Sequence, residues 1–477
     1  MISARVSAIC ILGLLVLRAI MAAELPLSAD EAYYWLWSRY PDLGYFDHPP
    51  MIAWLIRAGT FLFGNTPFGV RLAGIVLSLP ATVFVWRAAS LILKNEERAG
   101  HAALFFNLSL MVSVEMLAAT PDMPSLVTSA AFVYFLARIE AEGDGRFWLG
   151  AGIAAGLGLL SKFSALFLGL GVLLWLILDH KARRWLLSPW PYLGAVLALL
   201  IFVPNLVWQS QHHWESFVFQ LARTGAGHFT LRYLGEFLAA QFGLATPLIF
   251  VLMAAGLWRA TKLAKSGDGE GRLMLAMLVW VGLGYFFAHA LHDRVQGNWP
   301  CFLYPALSIL AADGFGPADK FRRLPGLAAA LAMALVLAVY LQAQYGLVPL
   351  KRDPLARILG REFAPIGEVV AALVKTHLAE AVLTTDYETT AWLRFNQPDI
   401  QVVQVTEPQR YPQAPPADMR LLQRPLIYLT ELRRDQHQLV QKLFAYTGFP
   451  TQLQTPSSLY MVYPVGRPKS SFTGKMP

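Results

Sequence analysis

Apolar runs long enough to cross about 30 Å of hydrocarbon recur along the first three-quarters of this chain and end near residue 343. They fall at about 6–23, 67–93, 100–119, 124–139, 147–161, 163–179, 190–207, 240–258, 273–291, 300–313 and 325–343, which predicts about eleven transmembrane helices. The runs at 147–161, 163–179 and 300–313 are short for a full crossing, as expected of segments that are either partly re-entrant or shielded by neighbours. The polar stretch 24–66 is patterned too. Residues 29–40 and 51–63 are rich in Tyr, Trp, Leu and Ile around a break at Asp47-His48-Pro49-Pro50, as expected of helices lying in the interface plane at about 29–63.

Beyond residue 343 the apolar runs shorten to strand length. Residues 381–385, 400–405, 426–430 and 459–463 read as strands, and 365–379 and 433–446 as helices. The Pro- and Gln-rich stretch 408–424 reads as a long loop, and 464–477 as a frayed tail. The expected organisation is a membrane domain over 1–343 and a small α/β domain over 344–477. No internal repeat is apparent.

Charge gives this pattern a direction. With the amino terminus in the cytoplasm, alternate loops carry Lys94 and Arg98; Arg138 and Arg146; Lys181, Arg183 and Arg184; Arg259, Lys262 and Lys265; and Lys320, Arg322 and Arg323. Every basic cluster then lies on one side, as the positive-inside rule requires. The stretch 24–66, the turns near 120–124 and 161–162, the loops 209–241 and 292–300, and the α/β domain fall on the other side. In a bacterial inner membrane that side is the periplasm.

Composition agrees: 56% of the 477 residues are hydrophobic and 15% charged, against roughly a quarter charged in soluble domains. The net charge of +8 is spread through short loops, which is topogenic and not the single basic face of a nucleic-acid binder. Residues 1–23 share features with a signal peptide, namely Arg5, an apolar stretch, and Ala22 with Ala23. A polytopic chain normally keeps such a segment as its first span. Cys10 and Cys301 lie far apart in apolar runs and read as inert packing residues.

The candidate chemistry sits on the outer side. Ser28-Ala29-Asp30-Glu31 puts two carboxylates just past the first span. Ser28 and Glu31 have the spacing of a capping box, whereas Asp30 lies roughly 100° further round the helix and is left over. Asp30 reads either as a partner of the helix dipole or as a general base that takes a proton from an attacking hydroxyl. Asp122, in Thr120-Pro121-Asp122-Met123-Pro124, reads either as an N-cap or as a second acidic residue of the site. Asp47 with His48 is compatible with a plain turn or with a divalent cation.

The runs SADEAYYWLWSRYPDLGYFDHPPMIAWLI, FGVRLAGIVLS, TPDMPSL, GLLSKFSAL and VQGNWPCFLYPAL resemble the bacterial GT-C glycosyltransferases related to protein O-mannosyltransferases and to the lipid A aminoarabinose transferases, glycosyltransferase families 39 and 83. The resemblance covers nearly all of the membrane domain and is weaker over the tail. It implies an inverting transfer of a sugar from a polyprenyl-phosphate donor to a periplasmic acceptor, which would be lipid A, an envelope glycan or a protein.

In the same resemblance Asp30 is the catalytic base, with Glu31 and Asp122 beside it. Arg71 and Lys162 match basic residues of that family and are expected donor-phosphate cations, Lys162 the better one because Arg71 also fits interfacial snorkelling. By residue type His48 and Arg294 are further phosphate candidates, and Tyr45, Asp47, Asn298, Trp299 and His213 candidates for substrate binding. The loops of Arg294, Asn298, Trp299 and His213 also fit an interfacial belt. His48 stands where related lipid A transferases carry Lys, which makes a fixed phosphate contact there less secure. No cofactor is required by this chemistry, although a divalent cation at Asp47 and His48 fits the residue types. The competing reading is a transporter or flippase of lipid-linked sugars, whose sites lie near the bilayer midplane between repeats.

Overall fold

The structure is a computed structural model that describes residues 2–222, 227–263, 271–314, 323–376, 379–411 and 419–469. Lys265, Lys320, Arg322, much of the loop expected at 408–424 and the tail beyond 469 lie outside the described residues. The chain forms two compact units. One comprises Met1–Ala22, Leu43–Leu55 and Arg71–Ala338, and the other Ala23–Asp42, Ile56–Val70 and Val339–Pro477.

The first sixteen helices are α1 (Ala4–Glu24), α2 (Ala29–Arg39), α3 (Met51–Phe63), α4 (Pro67–Leu93), α5 (Glu96–Leu108), α6 (Leu110–Glu115), α7 (Asp122–Glu142), α8 (Phe147–Ser161), α9 (Leu166–Leu178), α10 (Pro189–Gln211), α11 (Glu215–Ala222), α12 (Arg232–Leu244), α13 (Pro247–Leu263), α14 (Arg272–Ala290), α15 (Tyr304–Asp313) and α16 (Leu324–Tyr345). Among the described residues five of them, α1, α4, α10, α14 and α16, are long and apolar enough to cross a membrane; counting the bent pair α12 and α13 as one span makes six. In α1 the apolar residues Val6, Ile9, Leu12, Val16 and Ile20 are exposed three or four positions apart, while Arg18 is buried and donates from Nη1 to Ser78 Oγ at 2.8 Å. An outward apolar stripe with the charge turned inward is what a helix in lipid requires.

Two expected spans are broken, each for a local reason. The run 100–119 divides at Ser109, whose extended backbone ends α5 and whose hydroxyl accepts from Val112 N to start α6. The run 240–258 becomes α12 and α13, bent by 110°. There Thr246 adopts a left-handed φ of 67° and Pro247 opens the next helix, where its missing N–H costs nothing. Helices α8 and α10 meet so closely that a Cβ on Gly152 would overlap the Gly194 carbonyl, which is how small residues let membrane helices approach. At another set of helix ends, Asp313 accepts from Arg98 at 2.8 Å and from Arg272 at 2.9 Å, and Arg259 donates to its carbonyl at 2.6 Å. Arg98 and Arg259 therefore staple helices together, a role that the topogenic reading of these loops did not include.

In the second unit, α17 (Pro354–Ile358) and α18 (Ala364–Lys375) precede β1 (Ala381–Thr384), α19 (Tyr387–Asn396), β2 (Gln401–Gln404), β3 (Leu426–Glu431), α20 (His437–Leu443), β4 (Thr451–Gln454) and β5 (Leu459–Val465). The sheet order is β2-β1-β3-β5-β4. The first three strands are parallel, with Ala381 opposite both Gln401 and Leu426, while β5 runs antiparallel to β3 and β4. Leu383, Val403, Tyr428, Val440, Phe444 and Met461 form its core. Four expected strands are present. Strand β4, mostly exposed at the sheet edge, and helix α19 were not anticipated, and the expected helix at 433–446 is reduced to α20.

Candidate active site

The residues read from the sequence divide between the two units, and each set is built separately. In the second unit, Ser28 opens α2 as its N-cap. Its hydroxyl accepts from Glu31 N at 3.3 Å, and Glu31 Oε2 accepts from Ser28 N at 2.9 Å and from Ser28 Oγ at 3.1 Å. The capping box is complete and Glu31 is fully buried. Asp30 is exposed on the same helix, and its Oδ1 accepts from the Tyr387 hydroxyl at 3.4 Å.

Tyr387 is the first residue of α19 and was not read from the sequence. The missed signal is Asp386, which caps that helix through Thr389 N at 2.9 Å, with Pro398 closing it two residues past its end. Helices α2 and α19 pack through Tyr33 on Tyr387, ring centroids 4.7 Å apart, and Trp35 on Phe395 at 5.0 Å. The Tyr- and Trp-rich stretch expected to lie in the interface plane forms, at Tyr33 and Trp35, a packing face within this unit.

In the first unit, Asp122 is the first residue of α7 and makes no cap; Pro121 holds that position without a side-chain bond. This corrects the N-cap alternative. The carboxylate is buried and accepts from Lys162 Nζ at 2.6 Å and Cys301 Sγ at 2.7 Å on Oδ1, and from Asn298 Nδ2 at 2.8 Å on Oδ2. Lys162 caps the end of α8, and its ammonium is matched by this carboxylate. Cys301 is thus a hydrogen-bond donor to a buried charge, which corrects the reading of it as inert packing. Nearby, Thr120 donates to Glu115 at 2.8 Å. Glu115 was also missed, although an acid inside the apolar run 111–119 is itself a signal.

The other candidates in this unit are held separately. Arg71 is fully buried, with Nη1 3.4 Å from the Ala22 carbonyl. The segment with Tyr45, Asp47 and His48 is pinned through its backbone: Ser216 Oγ donates to the Tyr45 carbonyl at 2.6 Å and Gln220 to the Asp47 carbonyl at 2.7 Å. Arg294 pairs with Glu236 at 2.9 Å and is largely exposed. Trp299 donates to Gln296 at 3.2 Å and packs on His289. His213 is an exposed turn residue with a φ of 52°. Among the described residues no three His, Cys, Asp or Glu side chains gather where they could hold a metal ion.

Comparison with known proteins places this geometry in context. The dolichyl-phosphate-mannose-protein mannosyltransferase family model matches residues 47–208. The lipid A galacturonosyltransferase RgtD of Rhizobium johnstonii is 30% identical over 298 residues, 59% of this chain and 59% of that protein. The undecaprenyl phosphate-alpha-4-amino-4-deoxy-L-arabinose arabinosyl transferase 1 of Sodalis glossinidius is 28% identical over 340 residues, 67% of this chain and 59% of that protein. The chain spans between 50% and 59% of the length of the first curated relatives it matches. In fold, ArnT from Cupriavidus metallidurans superposes with a TM-score of 0.64 at 17% identity, over 95% of this chain and 97% of that one. A second structure of that protein, bound to undecaprenyl phosphate, gives 0.64 at 16% identity over 98% of this chain and 99% of that one. The resemblance to GT-C glycosyltransferases read from the sequence is borne out, and the chain is a multi-pass helical membrane protein with the ArnT fold.

Proposed function

We propose that this chain, a relative of the lipid A galacturonosyl and aminoarabinosyl transferases, moves a sugar from a polyprenyl-phosphate carrier to a lipid A-type acceptor. The sequence likeness to transferases carries this reading, and the fold shared with ArnT supports it. An acceptor hydroxyl attacks the anomeric carbon, the bond from that carbon to the phosphate oxygen breaks, and polyprenyl phosphate leaves with the bonding electrons. Asp30 takes the hydroxyl proton, since Glu31 is occupied by its capping box while Asp30 is exposed on α2. Arg71, Lys162, His48 and Arg294 remain the proposed cations for the carrier phosphate, and of these Lys162 and Arg294 also face carboxylates.

The proposal places the chain in the bacterial inner membrane with a cytoplasmic amino terminus and a periplasmic α/β domain. The shorter apolar helices, such as α8 and α15, complete about eleven crossings. Proteoliposomes containing lipid A and supplied with undecaprenyl-phosphate galacturonate or undecaprenyl-phosphate 4-amino-4-deoxy-L-arabinose test it, with and without a chelator for the divalent-cation question at Asp47 and His48. The expected product is lipid A heavier by one sugar. Donor that crosses the bilayer with no glycosidic bond formed would favour the flippase reading instead.

A further inference from the structure

In an open sheet with parallel strands, functional side chains collect just past the carboxyl ends of those strands, where the connections diverge. The second unit follows this rule. Tyr387 comes three residues after β1, Arg410 lies in the turn after β2, and Arg434 in the turn after β3. The Arg410 guanidinium sits 4.4 Å from the Tyr387 ring centre and that of Arg434 at 5.7 Å. Arg434 is itself anchored by Glu388, and the Tyr411 hydroxyl donates to the Tyr387 carbonyl at 3.4 Å. Side chains from two other connections thus fix one tyrosine, and its hydroxyl points at Asp30 of α2 in the same unit.

We propose that the carboxyl edge of this sheet is a working part of the active site, with Tyr387 the positioning residue that orients Asp30. The inference rests on Asp30 being the base. The Tyr387 hydroxyl donates to the carboxylate and fixes its rotamer, so that one oxygen stays aimed at the incoming acceptor; Arg410 and Arg434 hold the ring. A donor to the charged carboxylate also keeps it ionised to lower pH. The titratable and charged groups around Tyr387 are Tyr33 from α2, Arg410 and Tyr411 after β2, and Arg434 after β3, which also faces Glu388 and the capping Asp386.

The test is Tyr387→Phe, which keeps the ring and its packing and removes only the hydroxyl, in the lipid A proteoliposome assay with the two undecaprenyl-phosphate donors above. The expected result is a kcat lowered about tenfold, an unchanged KM for donor, and an acid limb of the kcat/KM profile moved to higher pH. Arg410→Gln, which leaves the hydroxyl in place, should move the same quantities in the same direction and by less. Wild-type kcat and acid limb in Tyr387→Phe overturn the proposal, as does a loss of kcat that tracks a lower melting temperature with the acid limb unmoved. Asp30→Asn separates the two levels. If that variant is inactive and Tyr387→Phe is wild-type, only the role of Tyr387 falls; if Asp30→Asn transfers sugar, the base assignment itself has failed.

Discussion

Asp30 and Asp122 are both acids at the start of a helix in the outer half of the pattern, yet the structure treats them oppositely. Asp30 is exposed at the second position of α2 and receives a long hydrogen bond from a tyrosine. Asp122 is buried at the first position of α7 and takes donors from an ammonium, an amide and a thiol. The difference bears on the proposal that Asp30 is the base. A base needs an oxygen that a substrate proton can reach, whereas a carboxylate already bonded on both oxygens in a low-dielectric setting serves to hold its partners. Asp122 ties the start of α7 to the end of α8 and to the turn at 298–301, three pieces of chain distant in sequence.

The sharpest way to break this comparison is to neutralise each acid and read both transfer and stability. Asp30→Asn should lower transfer by about 10²–10⁴-fold with the melting temperature unchanged; an active variant would remove the contrast. Asp122→Ala should instead destabilise the fold by about 3–5 kcal/mol, because Lys162 is left as a buried charge without its partner. The double variant with Lys162→Met should recover much of that loss in a thermal melt, and full additivity of the two changes would contradict the pairing.

A third carboxyl sharpens the comparison through pH. Asp386 caps α19 with one oxygen, while its Oδ2 is buried without a hydrogen-bond partner, and burial pushes the group up to about 6 from an ordinary value of 3.8. A carboxyl that holds its proton more tightly when folded contributes stability that is fully present below about pH 4 and is lost as pH rises through about 6. The second unit should therefore lose on the order of 1–3 kcal/mol from this group between pH 4 and pH 7. Asp386→Asn, which keeps the cap, should flatten that part of the profile as followed by hydrogen exchange in α19. The smallest expected effect is Ser28→Ala, about 1 kcal/mol from loss of the cap; a larger fall in transfer than in stability would show that the start of α2 is tuned for Asp30.

Much of the candidate site was legible because its signals are local. Ser28 and Glu31 sit three residues apart, so the box that occupies Glu31 and leaves Asp30 over can be read from four letters. The helices α4, α10 and α16 fall close to the expected bounds because a continuous apolar run has one stable form in lipid. Less regular features were misread. Ser109 and Thr246 break spans through single backbone conformations that leave hydropathy unchanged, and α19 has a mixed Thr, Trp and Arg composition that shows no clear period.

By itself the sequence determined the membrane class, the likeness to lipid-linked sugar transferases, and the capping box that Ser28 and Glu31 form. Each depends on residues adjacent or one helical turn apart, where backbone geometry fixes the outcome. Only the tertiary structure decided that Asp122 is saturated by Lys162, Asn298 and Cys301, which lie 40 to 179 residues away. It alone brought Tyr387 to Asp30 across 357 residues. Such pairings are set by how helices and strands pack, because a side chain's partners in the fold depend on which faces meet and not on its neighbours along the chain.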